Sequence, residues 1–354
     1  MRSEHGGMQD DALRALGWEP EQVLDLSVNL NPYGPPPSML AAIDAARLDR
    51  YPDPEARRAR RALSKWLNTS PERVVLGAGA CELLWTLVHT LGAAGSSHRR
   101  AVISTPAFGE VEEACKAFGV PVTRVPASAS ESLSPDPEDL SAEARRAPTA
   151  FVYLCHPGTP TGAPLSWERL CSLARELKPT PLILDESFLS LSDRWQDAHA
   201  PLPEHVVRVR SLTKAFTLPG VRVGYAIASP AICEALANRR PAWSVSAAAQ
   251  AVAECTPDQQ GFMEQSRIRL RQDRQALRAA LENLGLRPLH SVAPYLAFPW
   301  REARSLCERM LSRQGIALRD CASFGMPSLV RMAVRAEGDR ARVLSALRAE
   351  LKGE

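Results

Sequence analysis

Between residues 74 and 209 the chain repeats one pattern: a short apolar run, a polar or Gly/Pro break, then apolar residues at helical spacing. Residues 74–76 run into Gly77-Ala78-Gly79, and residues 82–88 follow at helical spacing. Residues 101–104 end at Thr105-Pro106, and residues 150–154 end at His156-Pro157-Gly158-Thr159-Pro160. Residues 182–184 lead into Asp185-Glu186, and residues 206–209 into Arg210-Ser211. Alternation of this kind predicts an α/β fold with a mostly parallel sheet, because parallel neighbours need a crossover, usually helical, to join them. In open sheets of that class, ligands bind just beyond the carboxyl ends of the strands. The polar strand ends are therefore where chemistry is expected.

With 45% hydrophobic and 23% charged residues, the composition is that of a globular chain. A net charge of +3 with interspersed signs argues against a nucleic-acid binder, which concentrates its cations on one face. The arginine-rich residues 57–61 read as the solvated side of a helix. The eight cysteines form no CxxC pair and have no histidine at a zinc-like spacing, so reduced thiols and no metal are expected. The polar residues 1–10 lack the apolar core of a signal peptide. No run approaches the roughly 18 apolar residues of a membrane span, and a cytoplasmic protein is expected.

Residues 127–141, rich in Ser, Pro and acids, read as a surface loop. After Tyr225 the pattern changes. Residues 259–284 predict a long charged helix stopped by Gly285, and residues 339–351 a closing amphipathic helix. The expected organisation is an N-terminal arm (1–35), a large cofactor-binding domain (36–235) and a smaller α+β domain (236–354).

Several side chains at the strand ends can carry chemistry. Lys214, directly after the run 206–209, is placed to be an amine nucleophile with a burial-lowered pKa. Asp185 ends the preceding strand, where a carboxylate can pair with a protonated ring nitrogen or simply cap a helix. Arg222 lies between glycines in Pro219-Gly220-Val221-Arg222-Val223-Gly224 and suits a phosphate. The turn Gly77-Ala78-Gly79 opens a helix whose amide groups offer a second grip on an anion. Each feature alone is weak; their order along one chain is specific. A Rossmann dehydrogenase is excluded, since no G-x-G-x-x-G follows the first strand.

Taken together, the run 211–225, SLTKAFTLPGVRVGY, resembles the lysine motif of class I/II pyridoxal-phosphate aminotransferases. The likeness extends over nearly the whole chain, through Ser27-Val28-Asn29-Leu30-Asn31-Pro32, Arg50-Tyr51-Pro52, Thr105-Pro106-Ala107-Phe108 and Asp185-Glu186-Ser187-Phe188. His5-Gly6-Gly7 and Trp243-Ser244-Val245 point to the branch of L-threonine O-3-phosphate decarboxylases, with histidinol-phosphate aminotransferases as near relatives.

The resemblance implies a fold type I transferase with pyridoxal 5'-phosphate as cofactor. Lys214 would form the Schiff base, Asp185 pair with the pyridine nitrogen and Phe108 stack on the ring. Ala80, Cys81, Ser211 and Arg222 would hold the phosphate, with Thr159 and Phe188 bordering the ring. Tyr51 would come from the other subunit of a homodimer with shared active sites. Arg331 would bind the substrate carboxylate, Arg319 and His5 its phosphate, with Asn31 also at the substrate. The expected reaction is decarboxylation of L-threonine O-3-phosphate, with amino transfer to a 2-oxo acid as the alternative. A non-catalytic module of the same fold is disfavoured by the presence of both Lys214 and Asp185. Three positions depart from the family pattern. Thr159 stands where the family has an Asn that reaches the cofactor's phenolic oxygen, Pro294 precedes Tyr295 in place of Asn, and Met8 follows the glycine pair in place of Asn.

Overall fold

Strands that are apolar along their whole length must be covered on both faces, and the computed structural model, which describes residues 6–93, 99–128 and 133–352, supplies both layers. Across the large sheet the order is Val74–Gly77, Gly224–Ile227, Val206–Ser211, Leu182–Asp185, Thr149–Cys155, Arg100–Thr105 and Val122–Pro126. Every residue of the three central strands, Val206–Ser211, Leu182–Asp185 and Thr149–Cys155, is buried. Alternation along the strands sorts their side chains. Phe151, Tyr153, Ile183 and Val207 pack with the helices Ala80–Ala93 and Glu110–Ala117 on one face. Val152, Leu154, Leu182 and Leu184 pack with Pro137–Arg146 and Trp167–Glu176 on the other. Each such apolar side chain contributes roughly 1.5–3 kcal/mol on burial.

Within this sheet Gly224–Ile227 runs opposite to the other six strands, pairing antiparallel with both Val74–Gly77 and Val206–Ser211. That reversal matters for the site. An antiparallel strand begins at the edge where the others end, so Arg222 arrives at the same rim as Ser211 and Lys214.

Beyond this sheet the chain forms a smaller α+β domain. The long helix Gln260–Asn283 precedes an antiparallel sheet of Arg319–Cys321, Met326–Ala333 and Tyr295–Pro299, in that order, with helices Ala303–Gln314 and Glu337–Lys352. The start of the chain is stitched to it: Leu24–Asp25 pairs in parallel with Ile316–Ala317, and the Ala333 amide donates to the Leu26 carbonyl at 2.9 Å. Among the described residues, no helix is long and apolar enough to cross a membrane.

The arginine-rich stretch lies in the helix Arg57–Trp66, with Arg57, Arg58 and Arg61 exposed around a buried Ala59. Residues 127–141 are not wholly a loop. The helix Pro137–Arg146 starts inside them, with the Asp136 side chain accepting from the Glu138 amide. The same Asp, Pro and acids that read as loop composition are also the signature of a helix start, with a side-chain cap, proline in the first turn and acids facing the dipole.

Candidate active site

The polar strand ends and the smaller domain enclose a cavity of about 310 Å³. Lys214 enters it from a one-turn helix, Leu212–Ala215, whose first amides are capped by the Ser211 hydroxyl; Ser211 Oγ accepts from the Lys214 amide at 3.4 Å. The ammonium group lies 4.1 Å from the centre of the Phe188 ring and 5.8 Å from that of Phe108. Burial among these groups lowers the Lys214 pKa from the ordinary lysine value, and the Asp185 charge offsets part of that. A neutral amine is thus reached at a lower pH than on a free lysine, which is the condition for nucleophilic attack on a carbonyl.

Asp185 lies on the floor of the cavity, at the end of its strand. One carboxylate oxygen accepts from the Ser187 amide at 2.9 Å and the other from the Tyr153 hydroxyl at 2.9 Å. A carboxylate oxygen has more than one lone-pair direction, so two bonds fix the group while capacity for a ligand donor remains.

An anion cradle stands at the same rim. The 14-residue helix Ala80–Ala93 starts here, so its first-turn amides and the positive end of its dipole are turned to this rim. Gly79 has φ +86°, and a Cβ there would stand 2.9 Å from Arg222 Nη2; a Cβ on Gly224 would stand 2.7 Å from the Ala80 amide nitrogen. Both positions therefore need glycine to bring Arg222 and the helix start together. Arg222 itself is exposed, with φ +58°. Cys81 sits in the first turn, with Sγ 3.6 Å from Glu110 Oε2. Burial and the Glu110 charge push its thiol up to about 12, so it is a neutral, weak donor rather than a nucleophile.

Opposite the cradle lie two arginines of the small sheet. Arg319 Nη2 donates to Ser323 Oγ at 2.6 Å. Arg331 is 7% exposed, and Nη2 donates to the Ser27 carbonyl at 2.9 Å while Nη1 lies 3.5 Å from Thr159 Oγ1. Its Nε has no partner. No acid pairs with Arg331 among the described residues, and burial lowers its pKa. A desolvated cation without a counter-charge is costly unless a ligand supplies one.

Of the residues singled out from sequence, Lys214, Asp185, Phe108, Phe188, Ala80, Cys81, Thr159, Ser211, Arg222, Arg319 and Arg331 line this one cavity. Asn31 does not. Its amide donates to the Ala215 carbonyl at 2.9 Å and to Ser266 Oγ at 3.0 Å, and its backbone amide donates to the Lys214 carbonyl at 3.0 Å, so it braces the lysine helix from behind. Its neighbour Asn29 lines the cavity instead, buried, with Oδ1 unpartnered. Tyr51 is 79% exposed and packs on Trp243 at 4.8 Å, away from this cavity. His5 lies outside the described residues. Thr159 is drawn toward Arg331, and Tyr295 donates its hydroxyl to the Gly158 carbonyl at 2.8 Å. Tyr153, Ser27 and Asn29 carry no assigned role in the sequence reading, although the last two stand in a quoted motif. Asn29 sat in the same motif as Asn31, but a two-residue spacing in an irregular segment does not say which one faces a ligand.

A family model for class I and II aminotransferases matches residues 21–349. The adenosylcobalamin biosynthesis bifunctional protein CobDQ of Leptospira interrogans is 27% identical over 97% of this chain, which spans only 40% of that protein's length. A threonine-phosphate decarboxylase of Salmonella typhimurium is 31% identical, over 99% of this chain and 97% of its own. The crystal structure of a histidinol-phosphate aminotransferase from Sinorhizobium meliloti, in complex with pyridoxal-5'-phosphate, superposes with a TM-score of 0.86 at 25% identity. That match covers 98% of this chain and 95% of the other.

Proposed function

The chain belongs to the class I and II aminotransferase family, and from that premise we propose that it decarboxylates L-threonine O-3-phosphate to (R)-1-aminopropan-2-yl phosphate. It is a pyridoxal-phosphate-dependent enzyme. The residues suit that group. The amides at the start of Ala80–Ala93, the Ser211 hydroxyl and Arg222 make a phosphate cradle, and glycines at 79 and 224 leave the room for it. Asp185 offers a carboxylate to the pyridine nitrogen, Phe108 and Phe188 are apolar faces for the ring, and Lys214 is the amine for its aldehyde. When bound, the cofactor supplies an electron-accepting ring that stabilises the charge left at Cα.

The chain's own groups then decide which Cα bond breaks. Arg331 would receive the substrate carboxylate through charge-assisted hydrogen bonds and fix the orientation of that group at Cα. Arg319 would face the substrate's phosphate, and the Phe108 and Phe188 rings line the cavity beside Lys214. Once CO2 has left, Lys214 Nζ delivers a proton to Cα. The carrying observation is the buried Arg331 with no acidic partner, beside Arg319 in the cavity of Lys214. Two cations facing one amine suit an amino acid with a second anion. Histidinol phosphate has a phosphate and no carboxylate, so it would leave Arg331 without the carboxylate that this reading gives it.

A two-fold homodimer completes the proposal, since Tyr51 is too exposed to serve its own cavity and is available to another subunit's. Eight free cysteines suit a reducing, cytoplasmic setting. The test is incubation of the purified holoenzyme with L-threonine O-3-phosphate. Release of CO2 and of the amine phosphate, abolished by Lys214→Ala, is expected. Conversion of the bound cofactor to its pyridoxamine form, with no CO2, would establish amino transfer instead.

A further inference from the structure

A buried guanidinium that lacks a carboxylate partner must be aimed by neutral groups, and for Arg331 one of them stands out. Its shortest hydrogen bond goes from Nη2 to the Ser27 carbonyl at 2.9 Å, against 3.5 Å to Thr159 Oγ1. The rings of Tyr295 and Phe324, at 5.4 and 5.8 Å, restrict its plane but do not fix rotation within it. We propose that Ser27 is a positioning residue, one that sets the orientation of Arg331 and ties it to the glycine pair Gly6 and Gly7.

Ser27 is itself held from three sides. Its amide and its hydroxyl both donate to Asp25 Oδ1, at 2.8 and 2.7 Å. Its Oγ accepts from the Gly7 amide at 2.8 Å. The adjoining residues are clamped to the small sheet, with Arg335 Nη2 donating to the Asp25 carbonyl at 2.8 Å and the Leu26 amide to the Ala317 carbonyl at 2.8 Å. Gly6 closes the arrangement. A Cβ on residue 6 would stand 2.4 Å from the Ser27 carbonyl oxygen and 2.9 Å from its carbon. Both are backbone atoms in a clamped segment, so neither can move aside cheaply. Any side chain at position 6 therefore pushes on the very oxygen that aims Arg331. Gly6, Ser27 and Arg331 line the same cavity, so the push is delivered at the substrate.

This inference rests on the reading that Arg331 receives the substrate carboxylate, and its test has an arm that does not need a substrate. In the holoenzyme, hydrogen exchange at the Gly7 amide reports the tie directly. Arg331→Gln releases the Ser27 carbonyl, and exchange at Gly7 is expected to quicken about tenfold; an unchanged rate overturns the proposal. The second arm is kinetic, with L-threonine O-3-phosphate. Gly6→Ala is expected to raise KM about tenfold, the scale of one hydrogen bond to a charged group. The kcat should stay within about twofold, with cofactor affinity and the visible absorbance band unchanged. Ser27→Ala, which keeps the carbonyl and needs no new space, should raise KM about threefold and quicken Gly7 exchange. A KM within measurement error of the wild type in both variants overturns the proposal, whereas a purely structural role would lower cofactor affinity and thermal stability together. If the wild type does not turn over this substrate, the functional reading fails and the exchange arm still decides.

Discussion

Two sets of buried arginines lie near the end of the strand Val206–Ser211, and they do opposite things. Arg208 and Arg210 are 6% and 3% exposed and Arg331 is 7%, so the desolvation they suffer is alike. The difference is counter-charge. Glu186 binds Arg208 Nη2 at 2.6 Å and Arg210 Nε at 2.7 Å, and the Asp197, Ala198 and Ala200 carbonyls take further donors. Burial alone would raise the Glu186 carboxyl, but the two arginine charges outweigh it and hold it below the ordinary carboxylate value. That cluster is closed. Among the described residues, Arg331 has only a carbonyl and a distant hydroxyl as hydrogen-bond partners, and its Nε has none. A buried cation that is already matched is costly to unpair; one left unmatched at a cavity wall remains open to an anion. Asp185 and Glu186 are adjacent in sequence, yet one floors the cavity and the other locks the closed cluster.

The largest expected effect breaks the closed cluster. Glu186→Gln leaves two buried guanidinium groups short of a negative charge and should destabilise the fold by about 3–5 kcal/mol, read from the denaturant midpoint of the apoprotein. A loss below about 1 kcal/mol would show that the cluster is solvated and the contrast with Arg331 unfounded. The counterpart, Arg331→Gln, should change stability by less than about 1 kcal/mol, because it removes an uncompensated buried charge. It should nevertheless lower kcat/KM for the phosphoamino acid about 10²–10³-fold, the scale of a lost buried charge contact. If instead the variant unfolds as readily as Glu186→Gln with its kcat/KM intact, Arg331 belongs with the structural arginines.

The smallest effect is on pH dependence and sharpens the comparison. Capture of the cofactor by the apoprotein needs the neutral form of Lys214, so its rate should rise with pH through the Lys214 pKa. Burial lowers that pKa, so the midpoint should fall below the ordinary lysine value of about 10.4. The Arg331 charge adds to the lowering. Replacing it by Gln should therefore move the midpoint upward, whereas a shift downward or none at all would mean that the unmatched charge is not felt at Nζ. Stopped-flow absorbance of apoprotein mixed with pyridoxal 5'-phosphate measures both.

Much of the site was legible because it is built from strand ends. An apolar run followed by a polar break marks a strand's carboxyl edge, and Lys214, Asp185, Thr159 and the helix start at Ala80 follow such breaks directly. Arg222 was legible by its motif, but its arrival at the rim depends on one antiparallel strand that no local pattern announces. The helix inside residues 127–141 was missed because its capping residues are also loop formers.

By itself, the sequence determined the layered α/β architecture and the type of chemistry, since burial on two faces and an amine beside a carboxylate follow from residue order over short spans. Only the tertiary structure decided which arginine is matched and which is open, and which asparagine faces the cavity. Arg331 meets Ser27 across 304 residues and Thr159 across 172, while Asn31 reaches Ala215 across 184. Pairings over such distances are selected by the packing of whole domains, and desolvation acts on a side chain only once that packing has closed around it.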